Sequence, residues 1–416
     1  MSDDAKHLSV KPAKRAHLIA AAIVCACLFF GMSRTAAAAV PSACDDLSRS
    51  IDGAPDGPVF LASYPTIRSG PLSGVAYLYD NALAAIALVA CGQPEKASRI
   101  ADAIVLAQDH DRYWHDGRLR NAYQAGPAGQ TPVKLSGWWD VQKNKWFEDA
   151  YQVGSDSGNL AWAILALLAA DASTHNRKYL ESATKIAGWL MRLRSDHGPG
   201  GFTGGLFGEE PDPRSETWKS TEQNTDLAAA FSGLAAATKD DQWLKDAQGA
   251  ENFVRAMWNN DCRCFSVGTT ADGITPNRFL ALDAQILPLL ALPDAATRYA
   301  VAFATATTRL SDAGGFSFAE VKGGIWIEGT AQAALFAELS GRTAQATDLM
   351  AAVHSMRTAD GSYYASSTPE LSTGLPLETD PTQVRSYFHV AHLGAAAWVA
   401  IAERKFNPFI RKNALP

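Results

Sequence analysis

The feature that most constrains this chain is an alternation of two helix types that begins near residue 74. One type is apolar nearly all round, as in Leu-Ala-Ala-Ile-Ala-Leu-Val-Ala (83–90) and Ala-Trp-Ala-Ile-Leu-Ala-Leu-Leu (161–168). A helix without a polar face has to be buried on every side. The other type sets Lys, Arg, Glu and Asp opposite an apolar stripe, as a helix with one face in water does. The pattern predicts apolar helices over 75–90, 158–170, 222–238, 279–292, 326–339 and 385–403. Their amphipathic partners are predicted over 95–108, 177–194, 241–258, 295–310 and 344–356, and loops rich in Gly and aromatics follow them. The expectation is an all-α fold in a single domain, an (α/α)6 toroid of helical hairpins with the apolar helices inside. Residues 45–51 would supply the twelfth helix and close the ring. Successive apolar helices are spaced unevenly, their starts 47 to 83 residues apart. That argues against a solenoid of equal repeats and for a closed ring with loops elaborated at one end. Two helical domains are the alternative.

The N-terminal residues read as a leader. Lys6, Lys11, Lys14 and Arg15 precede an apolar run over 18–32, and Ala36-Ala37-Ala38-Ala39 follows. A basic n-region, a short h-region and an A-x-A site make a secretory signal, and the run falls short of the roughly 20 residues that span a bilayer. Residues 1–39 are therefore expected to be a signal peptide cleaved near Ala39, leaving 40–416 as the catalytic domain. The expected location is periplasmic or secreted, with no stable membrane anchor.

The whole chain carries −6. Since residues 1–39 are basic, the remainder is more acidic still, and nucleic acid is a poor candidate partner. Beyond the leader stand Cys44, Cys91, Cys262 and Cys264. An even count in an oxidising compartment favours disulfides, and Cys44–Cys91 is the expected bridge. Cys262 and Cys264 would need a strained one. No Cys/His zinc spacing is present, so no metal or other cofactor is expected.

In a helix ring the pocket lies at one end of the inner helices, which makes polar residues at their first turns informative. These are Asp80 and Asn81, Asp156 with Asn159, Glu222 with Asn224 and Asp226, Asp283, Glu328, and finally Tyr387, His389 and His392. Any one acid has a plain explanation as a helix cap meeting the positive end of the macrodipole. Six around one mouth ask for more. Glu222 and Asp226 share a helix face at i, i+4, where like charges destabilise, and Ser220 or Thr221 would cap that helix. His389 and His392 would share a face of the last helix, as a ligand pair or as hydrogen-bonded core histidines. Loop aromatics, among them Trp138, Trp139 and Trp326, offer flat surfaces for the C–H faces of sugar rings. Glycoside hydrolysis needs a proton-donating carboxyl and an ionised partner flanking one bond. Glu222 is the expected acid and Asp156 the expected base or nucleophile. Asp226, Asp283 and Glu328 are rivals. The expected substrate contacts are Asp80, Asn81, Trp138, Trp139, Asn224, Asp283, Trp326, Glu328, Tyr387 and His389.

The runs Tyr79-Asp80-Asn81-Ala82-Leu83-Ala84, Asn159-Leu160-Ala161-Trp162-Ala163 and Trp326-Ile327-Glu328-Gly329-Thr330-Ala331-Gln332 resemble the six-hairpin (α/α)6 glycosidase group over roughly residues 70–410. Ser155-Asp156-Ser157-Gly158-Asn159 is similar to the aspartate-bearing helix start of glycoside hydrolase family 8, which has a second Asp where Gly158 stands. The resemblance implies a periplasmic or secreted enzyme that hydrolyses an oligo- or polysaccharide. Two other classes fit the residues. A polysaccharide lyase would use Tyr387, His389, Asn224 and Arg385. A non-catalytic exopolysaccharide-binding or export factor would keep the aromatics without an acid pair.

Overall fold

The computed structural model describes residues 41–410; the expected leader and its cleavage point lie outside them. Thirteen helices occur among the described residues: α1 (Ala43–Asp52), α2 (Leu78–Ala90), α3 (Pro94–Asp109), α4 (Ser157–Thr174), α5 (Lys178–Leu190), α6 (Thr221–Thr238), α7 (Gln242–Ala256), α8 (Asp283–Ala291), α9 (Ala295–Arg298), α10 (Val301–Leu310), α11 (Ile327–Leu339), α12 (Thr343–His354) and α13 (Leu393–Glu403). The apolar set is α2, α4, α6, α8, α11 and α13. Each of these packs on the next, and α13 packs back on α2, so the ring closes. Their Ala-rich, all-round apolar sequences account for that: α13 has no charged residue before Glu403 and is buried from Leu393 to Ala402. The amphipathic helices lie outside, each on its inner partner.

α1 fills the last outer place, against α13 and α2. It starts with a capping box, in which the Ser42 hydroxyl accepts from the Asp45 amide and the Asp45 carboxylate accepts from the Ser42 amide. The Cys44–Cys91 bridge ties it to the end of α2 with a Cα–Cα distance of 5.8 Å, an ordinary disulfide span. The bridge closes a loop of 47 residues. Replacing both cysteines with Ser is expected to lower unfolding free energy by about 4 kcal/mol, measured by urea denaturation. Cys262 and Cys264 also bridge, across Arg263 in the left-handed region (φ 54°).

The structure corrects several expected boundaries. Residues 384–388 are a strand (Val384–Phe388) paired antiparallel with Glu370–Pro376, not the start of the last inner helix. The Val-Arg-Ser-Tyr-Phe sequence suits a pleated ladder better than an enclosed helix, and α13 begins only after His392, whose ring caps it by accepting from the Ala395 amide. Residues 75–77 pair with Ala122–Gln124 instead of opening α2. Residues 279–282 precede α8, and the helix expected over 295–310 breaks at Tyr299 and Ala300 into α9 and α10. No described helix is long and apolar enough to cross a membrane.

Candidate active site

Alternating direction round the ring brings the N-termini of all six inner helices to one end, and the connection from each outer to the next inner helix lies there too. Three of these connections are strapped down in the same way by an amide side chain from the first turns of the inner helix. Asn81 accepts from the Leu61 amide (2.8 Å) and donates to the Leu61 and Tyr77 carbonyls. Asn224 does the same to Phe202 and Ser220, and Gln285 to Phe265 and Ala281. Asn81 and Asn224, expected to contact substrate, are thus fully buried braces whose amides are spent on backbone.

The acids at the same helix starts converge. Ser220 caps α6, accepting from the Gln223 amide, and Glu222 follows in the first turn. Burial pushes the Glu222 carboxyl well above its usual range, and Asp283, Asp226, Glu328 and Asp156 each add to the rise. Of these acids Glu222 keeps the most surface open, while Asp156 is 7% exposed and Asp226 0%. Asp283, at the start of α8, is raised to about 6 by burial although the Ala284 amide donates to it at 2.6 Å. Glu328, in α11, reaches about 7 by burial, against the opposing pull of His392 and of the Tyr79 hydroxyl, which donates to it at 2.5 Å. The Trp398 indole in turn donates to the Tyr79 oxygen. Behind Glu328, His392 Nε2 lies 3.3 Å from Asp80 Oδ2, and its ring stacks on Tyr64. Burial lowers the His392 pKa, but Asp80 and Glu328 outweigh it and the net shift is upward.

Asp226 faces the Trp162 indole and is 0% exposed. Burial, then the nearby Asp283, keep it protonated well above the usual carboxyl range. This corrects its expected catalytic role: it has no surface with which to reach a substrate.

Asp156 closes the ring of acids from α4. It lies in a three-stranded sheet, Ser155–Asp156 beside Gly205–Phe207 beside Arg214–Glu216, whose register aligns Asp156 with Gly205 and Gly205 with Glu216. Gly205 (φ 133°) is required there, since a Cβ would meet the Ser155 carbonyl oxygen at 2.2 Å. Burial and then Glu378 raise Asp156 to about 7, while Arg385 and Asn121 oppose the shift. Glu378 and Arg385 belong to the hairpin Glu370–Phe388. Arg385 lies over the Tyr151 ring and 3.4 Å from Glu378, and Tyr387 on the same strand face packs on Trp326. That hairpin forms a roof over a floor of acids.

The sequence-expected residues divide accordingly. Asp80, Asp156, Glu222, Asp283, Glu328, Trp326 and Tyr387 come together, with Asp226 beneath them. His389 does not join them: its Nδ1 is 2.7 Å from the Ser366 carbonyl oxygen and its exposed ring stacks on Tyr364. Trp138 and Trp139 stand on a separate hairpin. The residues that sequence reasoning missed here are Glu378 and Glu216. The only signal for Glu378 was its place in a long polar loop. Among the described residues, no three His, Cys, Asp or Glu side chains are grouped to hold a metal ion.

No protein-family model matches the chain, and no curated protein matches it. A glycosidase solved in complex with glucose is 14% identical, covers 87% of this chain and 96% of its own, and superposes with a TM-score of 0.59. A GH76 alpha-mannanase from Bacteroides thetaiotaomicron (12% identical, 87% and 94% covered, TM-score 0.54) and a sugar epimerase from a ruminal bacterium (10%, 86% and 95%, TM-score 0.60) are also similar. The chain has the helical toroid of these proteins.

Proposed function

We propose that the protein is a periplasmic or secreted glycoside hydrolase that cleaves an oligo- or polysaccharide between the acid floor and the hairpin roof. The observation that carries this reading is Glu222: a carboxyl with part of its surface open, set among Asp283, Asp226, Glu328 and Asp156, whose pKa burial and those acids push well above its usual range, toward the proton-bearing form that a general acid needs. Asp156 is the partner that activates water or attacks the sugar. It is half ionised near pH 7, and Arg385 biases it toward the charged form. Asp283 and Glu328 hold up the Glu222 pKa, while Tyr387 offers a ring face to the sugar; Trp326, 2% exposed, is enclosed behind Tyr387 and does not reach it. The toroids of the glycosidase, mannanase and epimerase neighbours are compatible with a sugar substrate. The two disulfides fit an oxidising compartment.

The lyase set does not assemble, because Asn224 is bonded to Phe202 backbone and His389 faces outward. Nor do we take a role from family 8, since a Cβ at Gly158 would meet Gln223 Cγ at 2.7 Å. The test is reducing-sugar release by the purified chain across bacterial and plant polysaccharides. Release from at least one is expected. Binding to one without release from any would favour an exopolysaccharide-binding or export factor instead.

A further inference from the structure

The connection over residues 110–156 carries a hairpin in which Trp138–Asp140 pairs antiparallel with Lys145–Phe147. The register sets Trp138 opposite Phe147 and Trp139 opposite Trp146. Side chains alternate along a strand, so the hairpin has two unlike faces. On one, the Trp138 and Phe147 rings stack at 6.1 Å, with the Lys143 and Lys145 ammonium groups over Phe147. On the other, Trp139 and Trp146 are 53% and 46% exposed.

Directly opposed residues in a ladder have Cβ atoms about 5 Å apart, so the two indoles rise from neighbouring points of one face. Gly137 lets the Trp146 ring lie down, since a Cβ there would meet Trp146 Cζ2 at 2.6 Å. Among the described residues neither indole stacks on another ring of the protein. Large apolar surface left in water in this way marks an interaction site.

We propose that Trp139 and Trp146 are a second carbohydrate-binding site, which holds a polysaccharide chain outside the mouth. This rests on the hydrolase reading for its choice of ligand. Pyranose rings present C–H faces that stack on indoles, as the exposed Trp139 and Trp146 rings would allow. Chain continuity places the platform beside the mouth. Phe147 leads within four residues to Tyr151, whose ring lies under Arg385 and whose hydroxyl accepts from Asn159 Nδ2 at 3.2 Å.

The test is affinity electrophoresis of the full chain in native gels cast with mannan, dextran, laminarin or amylopectin. Wild-type protein should be retarded in at least one gel. Trp139→Ala/Trp146→Ala should weaken that retardation roughly tenfold, and Trp139→Phe/Trp146→Phe should restore most of it, which separates lost stacking from misfolding. The loss should grow with chain length, large for the polymer and small for its trisaccharide. Equal retardation of wild type and the alanine variant, or none in any gel, overturns the proposal. So does Trp-dependent flotation with phosphatidylglycerol vesicles in place of gel retardation. Trp-dependent retardation without any hydrolysis would leave the platform standing and remove the hydrolase reading.

Discussion

Glu222→Gln is expected to lower kcat on the cleaved polysaccharide roughly 100- to 10,000-fold, the span that a positioned general acid contributes, while the Kd for that polysaccharide changes little. Gln matches Glu in shape but has no proton to give to the leaving oxygen. The structure makes this a clean substitution. Burial and Asp283, Asp226, Glu328 and Asp156 favour the neutral form of Glu222, so an uncharged amide is a close replacement for it. The loss should shrink on an aryl glycoside, whose phenolate leaves without protonation. The pH dependence follows from the same shifts. Wild-type activity should fall below about pH 7 as Asp156 takes up a proton, and fall again at higher pH as Glu222 loses one. In Glu222→Gln the acid limb should remain and the alkaline limb should vanish. Steady-state kinetics from pH 5 to 10 read both. A variant with wild-type kcat, or one that has lost binding as well, would remove Glu222 from the donor role.

The ring was legible because enclosure leaves a mark on every residue of an inner helix. An all-round apolar run such as 161–168 has no other stable home, and the amphipathic helices between such runs can only lie outside them. Boundaries failed where a neighbour decides the conformation. Arg385 and Tyr387 lie in a strand because Glu370–Pro376 pairs with them, and the sequence near 385 holds nothing that announces a partner. The acids were found because the mouth of a ring collects helix N-termini, so Asp156, Glu222, Asp283 and Glu328 could be named from position alone. The same rule misread Asn81 and Asn224. A polar residue in a first turn looks the same whether it faces a ligand or grips the backbone of Leu61 or Phe202. Glu378 was missed for the converse reason. It is on no helix, and its electrostatic partner Asp156 is more than 200 residues away in sequence. In the Trp platform, Trp139 stood out as a loop aromatic, but only the strand register shows that Trp146, not Trp138, is its neighbour.

Protonated acids under the mouth also set how stability varies with pH, and Asp226→Asn should expose this most sharply. A carboxyl whose folded pKa is raised stabilises the fold fully below its unfolded value, near 4, and that contribution is lost as pH climbs through the folded value. Asp156 and Glu328 at about 7 and Asp283 at about 6 place the loss between roughly pH 4 and pH 7, and Asp226 and Glu222, shifted in the same direction, add to it. For Asp156 alone the full shift corresponds to about 4 kcal/mol. Wild-type protein should therefore melt at a higher temperature at pH 5.5 than at pH 8.5. Asp226 is fully enclosed, so at pH 8.5 the fold must either hold its proton against solvent or bury its charge. An Asn there removes that conflict. It is neutral at every pH, and no hydrogen bond of the Asp226 carboxyl is lost with it. Asp226→Asn should raise Tm at pH 8.5 by a few degrees, change it little at pH 5.5, and keep turnover within about tenfold because the residue has no surface open to substrate. Calorimetric scans of both proteins across this range decide the matter. A variant that melts lower at every pH would mean that the Asp226 carboxyl makes a bond the fold depends on. A variant with stability intact and turnover gone would return Asp226 to the reaction.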